Sequence, residues 1–166
     1  METNWLVVLG SALIPMLVGM IWYNPKVFGN AWMQAAGLKE EDLKKSNMFL
    51  IMGVTLLLSV FLSVALLYTV VHQYYIFSSV LGMPGFDDPT SPQGKALADF
   101  FALAKGNFRT FKHGALHGTI AAITFALPVL GINSLFERRS AKYIFIHLGY
   151  WVVTLALMGG VLCQFS

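Results

Sequence analysis

The chain has 166 residues, 57% hydrophobic and 11% charged, with a mean hydropathy of +0.67, whereas water-soluble domains carry about 25% charged residues. That apolar surplus excludes a cytosolic enzyme, a disordered tail and a disulfide scaffold, and makes lipid the expected solvent. The net charge of +3 comes from basic residues scattered through short connecting segments, a membrane-flanking pattern and not a nucleic-acid-binding face.

Charge-free apolar stretches long enough to cross a hydrocarbon core, roughly 20 residues as helix, occur four times. The first runs from about Trp5 to Tyr23. Its leader, Met1-Glu2-Thr3-Asn4, lacks a basic residue and no small-residue cleavage site follows, so a mature helix is expected and not a signal peptide. Pro15 predicts a kink within it. After Trp22-Tyr23-Asn24-Pro25, the residues Val27, Phe28, Ala31, Trp32, Ala35 and Ala36 form one apolar stripe ending at Gly37. This predicts a short amphipathic helix lying in the membrane interface, with Gly37 as its C-cap. The run Lys39-Glu40-Glu41-Asp42-Leu43-Lys44-Lys45 reads as a solvated helical turn.

The second span runs from about Met48 to Val71, with a helical continuation towards Leu81 as the longer alternative. Gly82, Pro84, Gly85 and Pro89 then mark turns. Ser91 is placed to cap a helix with Pro92 at its first position, and Leu97, Phe100, Phe101 and Ala104 share one face before Gly106 ends it. This is the second expected interfacial helix, on the opposite side of the membrane from the first. The third span runs from about Gly114 to Asn133, with a kink expected at Pro128, and the fourth from Tyr143 to about Cys163. Amides in such segments must be paired internally, so all four are helices. The expected fold is one all-α membrane domain over residues 1–166, a bundle of four transmembrane helices with two short amphipathic interfacial helices.

No Asp, Glu, Lys or Arg lies within these spans, which argues against a charge-coupled transporter or an intramembrane hydrolase. Histidine is the exception. His113 and His117 are four apart and share a helical face, while His72 ends the second span on the same side of the membrane. Three imidazoles at one depth suit Zn, Cu or Ni, or a pair of them a haem. The alternative is interfacial histidines hydrogen-bonded to loop residues or water. His147 lies near the other face and should not join them.

Thr55, Ser59 and Ser63 recur on one face of span two, either lining a narrow water path or packing against a neighbouring helix. Gly114, Gly118 and Ala122 form a small-residue stripe on span three, and Gly149, Ala156 and Gly160 offer another on span four. These predict close helix contacts, within one bundle or between protomers. Trp22, Tyr23, Asn24, Lys26 and Trp32 form either an interfacial anchor or a contact site for a lipid headgroup or partner. No phosphate loop, dinucleotide loop, nucleophile elbow, zinc-protease helix or CxxC pair occurs.

The segments Asn4-Trp5, Trp22-Tyr23-Asn24-Pro25, Phe28-Gly29, Ala31-Trp32-Met33, Gly37-Leu38 and Glu41-Asp42 resemble the opening of a bacterial four-span membrane-protein family, domain of unknown function 1761. Asn133-Ser134-Leu135-Phe136-Glu137-Arg138-Arg139, Gly149-Tyr150 and Met158-Gly159 resemble its closing half. The resemblance implies the four-span architecture and brings no activity with it. The functional expectation is therefore a non-enzymatic membrane protein acting through contacts with the lipid bilayer or with protein, as a homo-oligomer or as an accessory subunit of a larger membrane complex, without a required cofactor and without nucleic acid. A small channel or transporter built on Thr55, Ser59 and Ser63 is one alternative. A metal- or haem-binding protein built on His72, His113 and His117 is the other.

The loops after spans one and three carry seven basic residues (Lys26, Lys39, Lys44, Lys45, Arg138, Arg139 and Lys142), against four after span two (Lys95, Lys105, Arg109 and Lys112). This bias predicts a multi-pass protein of the cell membrane with both termini outside the cytoplasm. A C-terminal reporter that works only in the cytoplasm should therefore stay silent, and a bright fusion would reverse the orientation.

Overall fold

Hydrocarbon offers no water to pair with backbone amides, so long apolar runs must satisfy themselves as helix. The computed structural model describes residues 3–166, all-helical with no strand among them. Four helical stretches are long and apolar enough to cross a membrane: Trp5–Trp22, Met48–Val70, Phe111–Phe136 and Ala141–Phe165. At 1.5 Å per residue their 18 to 26 residues cover roughly 27 to 39 Å, enough for a hydrocarbon core about 30 Å thick.

The first span is broken in the middle. Helix α1 (Trp5–Ser11) and helix α2 (Ile14–Trp22) meet at Ala12 and Leu13, with Pro15 as the second residue of α2. Proline has no N–H to return to the Ser11 carbonyl. The chain tightens instead, and the Leu13 N–H donates to the Gly10 carbonyl at 3.2 Å. A π turn over Pro25–Gly29 then runs into α3 (Asn30–Ala36), which Gly37 ends in the left-handed conformation at φ 71°. The charged run folds as α4 (Glu40–Lys44), with the Asp42 carboxylate accepting the Lys39 N–H at 3.0 Å.

Span two is α5 (Met48–Val70). Helix does continue beyond it, but as a separate element, α6 (His72–Val80), because Val71 adopts an extended conformation (φ −109°, ψ 96°). In the following loop the Asp88 carboxylate accepts hydrogen bonds from the Thr90 hydroxyl and amide, which hold it below the usual carboxylate range. Helix α7 (Pro92–Ala104) starts where Ser91 accepts the Gly94 N–H at 2.9 Å. Gly94 has no room for a side chain, since a Cβ there would overlap the Asp88 carbonyl.

Span three begins at Phe111, three residues before the sequence pattern suggests, because Phe111 and Lys112 are helical although they flank the apolar run. It consists of α8 (Phe111–Ala121), a π turn over Ala122–Ala126 and α9 (Leu127–Phe136), with Pro128 second in α9. In the π turn the Leu127 N–H reaches five residues back to the Ala122 carbonyl. Span four is the unbroken α10 (Ala141–Phe165).

Helix α10 is the axis of the bundle and packs on α1, α2, α3, α5, α8 and α9. Its buried residues include Thr154, Leu155, Met158, Gly159, Leu162 and Cys163, which meet Val8, Leu66, Leu67, Val70 and Ala122 from the other spans. Large apolar side chains crowd the outer faces: Phe49 is 93% exposed, Leu6 83% and Phe125 74%. Such a belt is stable in lipid and aggregation-prone in water.

The tightest approach is between α8 and α10. A Cβ on Gly118 would overlap the Leu155 carbonyl, and one on Gly114 would overlap the Gly159 carbonyl and Cys163. Overpacking of a well-filled contact costs typically ~1–3 kcal/mol, and here the obstruction is backbone. Gly118→Leu should therefore destabilise the detergent-purified protein by ~3 kcal/mol or more, read as a lower thermal midpoint. Gly53→Leu, with no neighbouring atom in reach of its Cβ, should leave the midpoint nearly unchanged.

Candidate metal centre

Two local features place three imidazoles together. Thr110 accepts the His113 N–H at 3.3 Å and so fixes the start of α8. This puts His113 and His117 one turn apart on the same face. The extended Val71 ends α5, and His72 opens α6 directly after it. His72 Nε2 lies 2.8 Å from His113 Nε2, and the three rings stand 4.5 to 5.0 Å apart between centroids. One ring nitrogen from each of His72, His113 and His117 lies within 4.8 Å of the others, and all three residues are half-buried.

The surroundings hold this arrangement. Phe108, a non-glycine residue with φ 59°, stacks on His113 at 4.8 Å and 22° and meets His72 edge-on at 6.2 Å. Its carbonyl accepts from the buried Cys163 thiol at 3.2 Å, and the Val70 carbonyl, freed at the helix break, lies 3.4 Å from the same sulfur. Gln73, next to His72, donates to the carbonyls of Ala104 (2.9 Å) and Asn107 (3.1 Å) and ties the end of α7 to α6. Nothing in the sequence pattern singles out Phe108 or Gln73, since their roles follow from the break at Val71.

His147 stands apart, some 16 residues from Cys163 along α10, or roughly 24 Å. Its Nδ1 is 2.8 Å from the Tyr23 hydroxyl, its Nε2 is buried with no partner among the described residues, and the Tyr143 ring lies 4.4 Å away.

The tryptophan-rich turn is directed inward. Trp22 donates from Nε1 to the Ile146 carbonyl at 3.1 Å, lies 4.5 Å from the Phe28 ring, and occupies the space a Gly149 side chain would need. Trp32 meets Tyr23 edge-on at 5.1 Å. Asn24 accepts the Lys26 N–H at 2.9 Å and opens the π turn, while Lys26 is exposed. Gly29 closes that turn so tightly that a Cβ would strike the backbone of Tyr23 and Asn24. Arg139, in the loop after span three, donates to the Ala36 carbonyl at 2.9 Å and so secures the end of α3.

The small residues also find partners within the chain. Gly114, Gly118 and Ala122 are buried, the first two directly against Gly159 and Leu155 of α10. Gly149, Ala156 and Gly160 do not act as one surface: Gly149 receives Trp22, Gly160 receives the Phe111 ring, and Ala156 is half-buried. The glycine whose backbone α8 meets is the adjacent Gly159, because the register of the crossing sets Leu155 and Gly159 opposite the stripe. On α5, Ser59 and Ser63 are buried and Thr55 half-buried. Ser63 donates to the Val8 carbonyl at 2.8 Å and contacts the Ser11 hydroxyl, so this face joins spans one and two.

A family model described as "Protein of unknown function (DUF1761)" matches residues 6–163, nearly the whole chain. Neither the curated proteins nor the solved structures give a match.

Proposed function

Because the chain belongs to the DUF1761 family, whose description names no activity, we propose a function from its geometry: a membrane protein that holds a divalent transition-metal ion on His72, His113 and His117. The observation carrying this reading is the convergence of three ring nitrogens within 4.8 Å from two separate helices. Around a tetrahedral ion with bonds of about 2.0 Å, ligand nitrogens stand roughly 3.3 Å apart. The present spacing, from 2.8 Å between His72 and His113 to at most 4.8 Å within the group, brackets that value.

Imidazole sets favour Zn, Cu or Ni. Three protein ligands leave a further coordination position for water or an added ligand. Cys163 does not compete for it, since its thiol is turned to backbone carbonyls. No carboxylate joins the group among the described residues. Haem fits less well. Axial nitrogens on opposite faces of one iron stand roughly 4 Å apart, twice a metal–nitrogen bond, and the 2.8 Å between His72 and His113 leaves no space for a ring.

Protein purified in mild detergent, loaded with Zn and dialysed should retain about one ion per chain by elemental analysis. His113→Ala with His117→Ala should lose it and keep the helical spectrum. Only neutral imidazole binds metal, so protons compete. Retention should be complete at pH 8 and fall on acidification, as protons take the ring nitrogens from the metal. A wild-type protein that folds normally and yet binds no Zn, Cu or Ni would refute the reading.

A further inference from the structure

A second feature lies at the same membrane side but outside the histidine cluster: a cleft of about 580 Å³ whose walls include Gln73, Phe101, Ala102, Lys105, Arg109 and Ser166. Among the described residues its walls carry two cations and no acidic side chain. Lys105 has no ion-pair partner among the described residues. Arg109 is held in place through one terminal nitrogen, Nη2, which donates to the Ser166 carbonyl and faces its hydroxyl at 3.4 Å. Its Nε and Nη1 donors make no side-chain bond among the described residues, so the guanidinium is oriented and has donors left for an outside acceptor.

The depth of the cleft follows from its position in the chain. Gln73 lies just beyond the end of α5, Arg109 just before α8, and Ser166 just after α10. Three spans end at this level, where lipid phosphates sit. One wall is α7, which supplies Phe101 and Ala102 inside and leaves Leu103 88% exposed beside them. The hydrogen bonds from Gln73 to Ala104 and Asn107 keep that wall against the bundle. A bare phosphate would meet the two cations and leave the apolar wall wet. An amphiphilic anion satisfies both.

We propose that this cleft is a binding site for an anionic phospholipid, with the headgroup phosphate on Lys105 and Arg109 and the upper acyl chain along Phe101 and Ala102. The site is independent of the histidines, and lipid occupancy does not depend on metal.

The test is native mass spectrometry of the detergent-purified full chain, titrated with phosphatidylglycerol or with phosphatidylcholine of the same acyl chains. Phosphatidylglycerol should bind more tightly. Lys105→Gln should weaken it about fivefold, the effect of one basic residue at an anionic surface, and weaken the zwitterionic phosphatidylcholine less. Ala102→Trp should fill the cleft and remove the tight site, while Lys142→Gln, on the opposite side, should change nothing. Metal content should be unaltered in all three variants. Equal binding of the two lipids, or Lys105→Gln and Ala102→Trp both binding like wild type, would overturn the proposal. Displacement of the lipid by millimolar inorganic phosphate would overturn it too, by identifying a free anion as the ligand.

Discussion

The structure depends on how closely two helix backbones approach. At Gly114 and Gly118 the α8 main chain comes against the α10 carbonyls of Gly159 and Leu155 with no side chain between them. In a bilayer the usual hydrophobic drive for helix association is absent, because lipid tails are as apolar as leucine, and dense van der Waals contact takes its place. Glycine supplies that contact by omission. The remaining spans are arranged around this pair, with α5 reaching it through Leu66, Leu67 and Val70 and the first span through Val8.

The same crossing organises the two ends of the bundle differently. Near Gly114 it carries His113 and His117 toward His72, and the buried Cys163 fills the space behind them. At the far end α10 takes aromatic partners from the first span, with Trp22 over Gly149, Tyr23 on His147, and the Tyr150 hydroxyl donating to the Pro15 carbonyl at 2.9 Å. One end therefore gathers three imidazoles, the other phenol and indole rings. The serine pair of Ser11 and Ser63 closes the middle. Polar groups in the membrane interior are thus spent on joining helices, as their scarcity there suggests.

Much of this was legible in the sequence for one reason: a bilayer imposes a length and a polarity on each span, and both can be read directly from composition. The four spans, the Ser91 cap and the Gly37 terminus follow from local chemistry. The extended Val71 does not, since valine before histidine carries no breaker signal. Recognising that His72 meets His113 required this break. The choice of Gly159 over Gly160 as the contact was equally hidden, because both lie in one glycine pair and only the rotation of α10 decides between them. Gly29 looked like part of a motif, yet its reason is a backbone collision in a turn whose five-residue hydrogen bonding has no sequence signature.

The π turn at Ala122–Ala126 has a consequence for the lower half of span three. A single surplus residue in an α-helix turns everything beyond it by about 100°. Leu127–Phe136 is accordingly out of phase with the stripe that ends at Ala122, so the glycine-faced ridge stops there and a different set of side chains looks inward. Excising one residue from this turn would re-phase the halves and bring what now faces lipid toward α10. The insertion acts as a mechanical gear, letting one helix hold its neighbour by its backbone at one end and by its side chains at the other.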